Sequence, residues 1–234
     1  MIRDIQNELV TFADPQKAAL LARFFKTGKG EYAEGDIFLG VTVPDARRIA
    51  KKYAALSHHG IHRLLTSKYH EERLIALLIM IEQFKNGDAK TKDLIYQTYI
   101  THTAYINNWD LVDLSAKHIM GAFLELKPKN ILSIFAASQN LWERRIAVLA
   151  TFYYIGHGDC TESLRIARIL LHDEHDLIHK AVGWMLREIG KQCSQKVLED
   201  FLKKHYKTMP RTMLRYAIER LPKKRRSAYL HGTL

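Results

Sequence analysis

Apolar residues in this chain recur at three- and four-residue spacing and seldom alternate, so the pattern predicts helices and almost no strands. Asp14-Pro15 reads as a cap followed by proline at the first helical position, and the stretch to Lys26 carries Ala18, Leu21, Ala22 and Phe25 on one face. Gly28, Gly30, Gly35 and Gly40 then interrupt the pattern, and this segment reads as a loop, ordered or flexible. Thr42 with Asp45 forms a capping box, with Asp in the usual Glu place, and opens a helix through Arg47, Arg48 and Ala50.

Farther along, the pattern repeats. Arg73-Leu74-Ile75-Ala76-Leu77, Arg144-Arg145-Ile146-Ala147-Val148 and His179-Lys180-Ala181-Val182-Gly183 start 71 and then 35 positions apart. The midpoint of the longer gap falls on Asn108-Trp109-Asp110-Leu111-Val112-Asp113, and one further period reaches Leu214-Arg215-Tyr216-Ala217-Ile218. Five stations at such a period predict stacked helical pairs, each burying its apolar side against its neighbours. The expected architecture is all-α, a helical-repeat solenoid forming one domain over residues 1–234, with a basic C-terminal segment at 203–226. The tetratricopeptide and ankyrin consensus patterns are absent.

Composition narrows the setting. The 234 residues carry a formal net charge of +11 and are 47% hydrophobic, which suits a packed core and excludes disorder as the main description. The longest apolar run, Leu74 to Ile81, is far too short for the roughly 20 residues that span a bilayer. Met1-Ile2-Arg3-Asp4 turns acidic before a signal-like region forms, and Cys160 and Cys193 lack CxxC spacing. A cytoplasmic protein is expected, without a membrane partner, disulfide framework or thiolate zinc site. Between Lys203 and Arg226 ten basic residues face Glu219 alone, which points to a polyanion, the alternative being a solvated tail. Arg144, Arg145, Lys180 and Arg215 recur at equivalent stations and would align basic groups across successive repeats, unless they snorkel over helix packing.

One constellation could carry chemistry. Trp109 and Asp113 share a helical face, and Asp110 lies near it. With Asn108 as cap, Asp110 sits in the first turn and complements the helix dipole, a structural role. Asp113 lies deeper, between Val112 and Leu114, where a carboxylate requires an Arg partner or a reaction. Trp142, Arg145 and Trp184 fall in the next two repeats, where indoles could stack on sugar or base and an Arg could hold phosphate; the alternative places these Trp residues in the core.

Phe38-Leu39-Gly40-Val41-Thr42-Val43-Pro44, Asn108-Trp109-Asp110-Leu111-Val112-Asp113, Leu141-Trp142-Glu143-Arg144-Arg145-Ile146-Ala147 and Ala181-Val182-Gly183-Trp184-Met185-Leu186-Arg187-Glu188 together resemble the AlkD-like DNA alkylation repair enzymes. The loop Lys26-Thr27-Gly28-Lys29-Gly30-Glu31-Tyr32 matches a form common there. The resemblance spans about residue 10 to about residue 220 and rests on the order of the four motifs, each weak alone.

The resemblance implies a HEAT-like solenoid, curved with a concave basic face, that embraces duplex DNA and hydrolyses the glycosidic bond of N7- and N3-alkylated purines. It places the family's catalytic carboxylate on Asp113, its sugar-contacting tryptophans on Trp109 and Trp184, and its phosphate-anchoring arginine on Arg145. Phe24 departs from the pattern where some members carry Tyr, which removes a minor hydrogen bond. Arg144, Arg145, Lys180, Arg211 and Arg215 are the expected DNA contacts. The resemblance also implies reading of the lesion from the backbone side, without a deep base pocket.

The residue types suit that reaction. An alkylated purine is cationic and leaves without a proton from the enzyme, so positive charge developing on the sugar is what needs stabilising. An ionised Asp113 would oppose that charge and position water, the indoles would lie against the cationic sugar, and Arg145 would hold the backbone in register. No metal or organic cofactor is expected. The alternative keeps fold and DNA but drops catalysis, giving a repeat protein that binds damaged or branched duplex; a third reading is a protein-binding scaffold. The expected protein is a monomer, nucleoid-associated when bound to DNA. His172, His175 and His179 have helical spacing without an HExxH or Cys partner, and His58, His59 and His62 read as a surface cluster. Gly28-Lys29-Gly30 lacks the phosphate-loop form.

Overall fold

A computed structural model describes residues 1–233 as an all-helical chain, with one isolated bridge between Ile37 and Tyr69 as the extended pairing among the described residues. The helices fall into two compact units, Met1–Ser115 and Ala116–Leu234.

The first unit holds α1 (Ile2–Phe12), α2 (Pro15–Phe24), α3 (Val43–Lys52), α4 (His58–Leu65), α5 (His70–Asn86), α6 (Ala89–Thr101) and α7 (Trp109–Ser115), with a short 3-10 turn at Thr103–Tyr105. The expected starts are seen: Asp14 accepts from the backbone of Gln16 and Lys17, and Thr42 accepts from Asp45. The centre of the unit is α5, which packs against α3, α4, α6 and α7. That position explains its apolar run, because a helix covered on several sides is apolar on more than one face, and Leu74 to Met80 are buried throughout.

The glycine-rich segment is an ordered loop. Glu31 and Glu34 accept from the N–H groups of Gly28 and Gly30 at 2.8 Å each. Farther on, the buried Glu71 carboxylate accepts from Leu39, Gly40 and Val41 at 2.9, 2.8 and 3.3 Å. Gly40 has φ +84, and a Cβ there would stand 2.1 Å from the Asp14 carbonyl oxygen, so this close approach admits only glycine.

The second unit holds α8 (Asn130–Ala136), α9 (Leu141–Ala150), α10 (Phe152–Ile155), α11 (Thr161–Ile169), α12 (Asp176–Glu188), α13 (Gln195–His205), α14 (Arg211–Ile218) and α15 (Lys223–His231), with π-helical turns at Lys117–Gly121 and Ile189–Cys193. In it α9 packs on α12 and α12 on α14, while α8 packs on α9 and α11 on α12. At Gly183 a Cβ would stand 2.5 Å from the Met213 carbonyl oxygen, which is why α12 and α14 approach so closely there.

Each repeat station lies on a helix: Arg73 on α5, Trp109 on α7, Arg144 on α9, Lys180 on α12 and Arg215 on α14. The architecture is therefore a helical repeat of stacked pairs, of the HEAT-like kind. Among the described residues, no helix is long and apolar enough to cross a membrane.

Candidate functional site

In the first unit, α7 carries Trp109 and Asp113 one turn apart, both half-buried. Asn108 starts the helix: its carbonyl accepts from Val112 at 3.1 Å and its side-chain Oδ1 from the Trp109 N–H at 2.8 Å. Behind Asp113 stands the buried Tyr99, whose hydroxyl meets Ser115 Oγ at 2.9 Å. Burial pushes the Tyr99 phenol up, the Ser115 hydrogen bond opposes it, and the Asp113 charge adds to the rise.

The Trp109 indole ends a column of rings. It stacks on Phe25 with centroids 5.0 Å apart, Phe25 stacks on Phe38 at 5.1 Å, and Phe38 stacks on His70 at 4.4 Å. Phe24, 62% exposed, meets Trp109 edge-on at 5.9 Å, so the position without a phenol still presents an aromatic beside the indole. A cleft of about 380 Å³ opens alongside, lined by Leu20, Phe24, Phe38, Val41, Leu74 and Asp110 among others.

His70 is buried, with Nε2 2.8 Å from Asp110 Oδ2 and Nδ1 3.4 Å from Asp36 Oδ2. Asp36 also lies 2.8 Å from Arg73 Nη2 and accepts from Asn107 Nδ2 at 3.0 Å. Burial pulls the His70 pKa down, but the hydrogen bonds to Asp110 and Asp36 outweigh it and leave it raised above 6.5. For Asp36, burial raises the pKa while the hydrogen bonds from His70 and Asn107 and the Arg73 charge win and hold it low. Asp110 lies in the first turn of α7, where its charge complements the helix dipole, and its Oδ2 meets His70, a partner the sequence did not indicate. His70, Asp36 and the Phe25–Phe38 stack are absent from the sequence reading. A His adjacent to an acidic pair at the head of a helix gives no periodic signal, and Asp36 lies 34 positions from His70.

In the second unit, α9 and α12 bring Arg145 and Trp184 into adjoining helices. Arg145 is buried, and its Nη1 donates to the Leu177 carbonyl in the first turn of α12 at 2.5 Å. Trp184 is half-buried and packs edge-on against Phe152 at 5.7 Å, whose ring carries the Lys117 ammonium 4.3 Å from its centroid. Trp142 is buried in the core.

The basic residues differ in how free they are. Arg144 donates to Asp173 and to two backbone carbonyls. Lys180 lies 2.7 Å from Asp176, and Arg211 donates to the Leu230 carbonyl at 3.0 Å. Arg215 is exposed and lines a groove with Lys223, Arg226 and His231, in which Glu219 is the acidic member. His175 Nδ1 accepts from the Leu177 N–H at 3.1 Å, and His179 Nε2 is hydrogen-bonded to the Asp173 carbonyl, so both are engaged with backbone.

Among known proteins, no curated protein matches the chain. A solved structure described as "Predicted DNA alkylation repair enzyme from Enterococcus faecalis" superposes with a TM-score of 0.70 at 17% identity, covering 90% of this chain and 97% of that one, a likeness of fold. The family described as DNA alkylation repair enzyme matches residues 5–221. That match takes in nearly the whole sequence, and the chain belongs to the AlkD-like family of DNA alkylation repair enzymes.

Proposed function

We propose that this protein is a monofunctional DNA glycosylase that hydrolyses the N-glycosidic bond of N7- and N3-alkylated purines in duplex DNA. The observation that carries the reading is Asp113, a half-buried acidic residue one helical turn from the half-buried Trp109. A carboxylate aligned with an aromatic face is what a developing sugar cation requires.

In this reading the bond from the anomeric carbon to the purine nitrogen breaks first, and the electron pair leaves with the base and neutralises its charge. Asp113 stabilises the oxocarbenium-like sugar and aligns a water whose oxygen bonds to the anomeric carbon, while the proton passes to the carboxylate and then to solvent. Trp109 lies against the sugar and excludes bulk water, with Phe25 behind it fixing its plane. Trp184 supplies a second indole, and Arg145 anchors a backbone phosphate. Arg144, Lys180, Arg211 and Arg215 supply further phosphate contacts, with the exposed Arg215 the least encumbered.

The test is release of alkylated purine from methylated duplex DNA by the wild type and by Asp113→Asn. Release by the wild type alone supports the reading; equal release by both removes Asp113 from its role.

A further inference from the structure

We infer that His70 is a positioning residue for α7: through Asp110, and with Asp36 as its second carboxylate, it sets the orientation of the Trp109 indole. The kinetic consequence rests on the glycosylase reading above, whereas the coupling to Trp109 stands on geometry alone.

The two residues that tether the start of α7 flank Trp109 in sequence. Asn107 is bound to Asp36 at 3.0 Å, and Asp110 is bound to His70 at 2.8 Å. A second route runs through the stacked rings, from His70 to Phe38, Phe25 and Trp109. His70 is therefore connected to the Trp109 helix by the Asp110 hydrogen bond on one side and to its indole through the intervening Phe38 and Phe25 rings on the other.

The ring's two partners define its protonation. A neutral imidazole has one N–H, but here each ring nitrogen faces a carboxylate oxygen, and only the imidazolium donates to both. The charges facing it are Asp36 from the loop before α3, Asp110 from α7 and Arg73 from α5; neighbouring Glu71 is turned to the Leu39–Val41 backbone. With His70 charged, two cations balance the Asp36 and Asp110 carboxylates in a buried setting. With His70 neutral, one of the two carboxylates loses the donor the ring supplied, Asp36 keeping only Asn107 and the Arg73 charge if it is the one released. The raised pKa agrees with this balance. Loss of the proton is expected to release the longer contact, to Asp36 at 3.4 Å, and to loosen the entry to α7.

The experiment follows the Trp109 indole N–H by NMR from about pH 5.5 to about pH 9.5, bracketing the ordinary histidine pKa, in the wild type, His70→Gln and Asp36→Asn. The signal is assigned by its disappearance in Trp109→Phe, and single-turnover base release and DNA affinity are measured alongside. We expect the wild-type resonance to titrate with a midpoint above 6.5, the midpoint to fall in Asp36→Asn, and the titration to vanish in His70→Gln. Base release is expected to decline through the same midpoint and to drop about tenfold to a hundredfold in His70→Gln, at unchanged DNA affinity. A Trp109 resonance that is flat in the wild type, or that titrates identically in His70→Gln, overturns the inference. If His70→Gln does not fold, the midpoint in Asp36→Asn decides, and an unmoved midpoint overturns it. A titrating Trp109 in a protein that releases no base would sustain the positioning role and overturn the glycosylase reading instead.

Discussion

Arg144 donates through Nε to Oδ2 of Asp173 at 2.7 Å, and through Nη1 to the carbonyls of Ser138 and Gln139 at 3.0 Å each. A phosphate would have to compete with Asp173 for this guanidinium, whereas Arg215 stands exposed beside other basic groups. Arg215→Ala is therefore expected to lower the slope of log binding constant against log salt by about one. Arg144→Ala is expected to change that slope less and to lose about 1–3 kcal/mol of stability through its unpaired neighbours. Salt titrations of DNA binding, paired with urea denaturation of both variants, check the contrast.

Arg145 joins α9 to the first turn of α12, the helix that bears Trp184. Arg145→Ala removes a phosphate anchor in the proposed function and an interhelical bond in the observed structure, so both DNA affinity and base release are expected to fall. Arg145→Lys keeps the charge but lacks the planar fork, and is expected to recover binding only in part. Affinity and single-turnover rates of the two variants measure this directly.

Glu71 holds three consecutive N–H groups of the segment before α3. Glu71→Gln replaces an acceptor pair with an oxygen and a donor, which leaves a buried amide facing backbone donors. The expected loss is roughly 1–3 kcal/mol, read as a lower denaturation midpoint. The same chemistry shows what the sequence made legible. Thr42, Asp45 and Asp14 are local caps whose partners lie within a few positions, and they stand as expected. The end of the Gly28 to Gly40 loop is held by Glu71, some thirty positions away, and composition alone carries no sign of such a contact.

The pH dependence of stability should carry the signature of His70. Its folded pKa is raised, so its contribution is fully present below the unfolded value of about 6.5 and is lost as pH rises through the folded one. Wild-type stability is expected to decline across that alkaline interval, and His70→Gln to lack this component. Denaturation curves at a series of pH values give the comparison.

The site was legible in part for a related reason. The motifs that carry the family resemblance brought out Trp109, Asp113, Arg145 and Trp184 as candidates, while the period marked the helices that bear them. Each lies on a helix of the repeat, Trp109 and Asp113 on α7, Arg145 on α9 and Trp184 on α12. What the period missed is the support: Phe25 follows the last turn of α2, Phe38 and Asp36 lie in a loop and His70 heads α5, all outside the repeat stations, although they tie back to the station residues Asp110 and Arg73. Arg144 shows the converse, since it sits at a station and yet is held by Asp173.

The most direct test of the central claim is release of 7-methylguanine from methylated duplex DNA, in EDTA, by the wild type beside Asp113→Asn, with DNA binding measured for both. The account predicts release by the wild type, loss of release in the variant and retained binding. Absence of release from the wild type, together with tight, salt-sensitive binding of DNA, would contradict it and leave a DNA-binding protein without the glycosylase reaction.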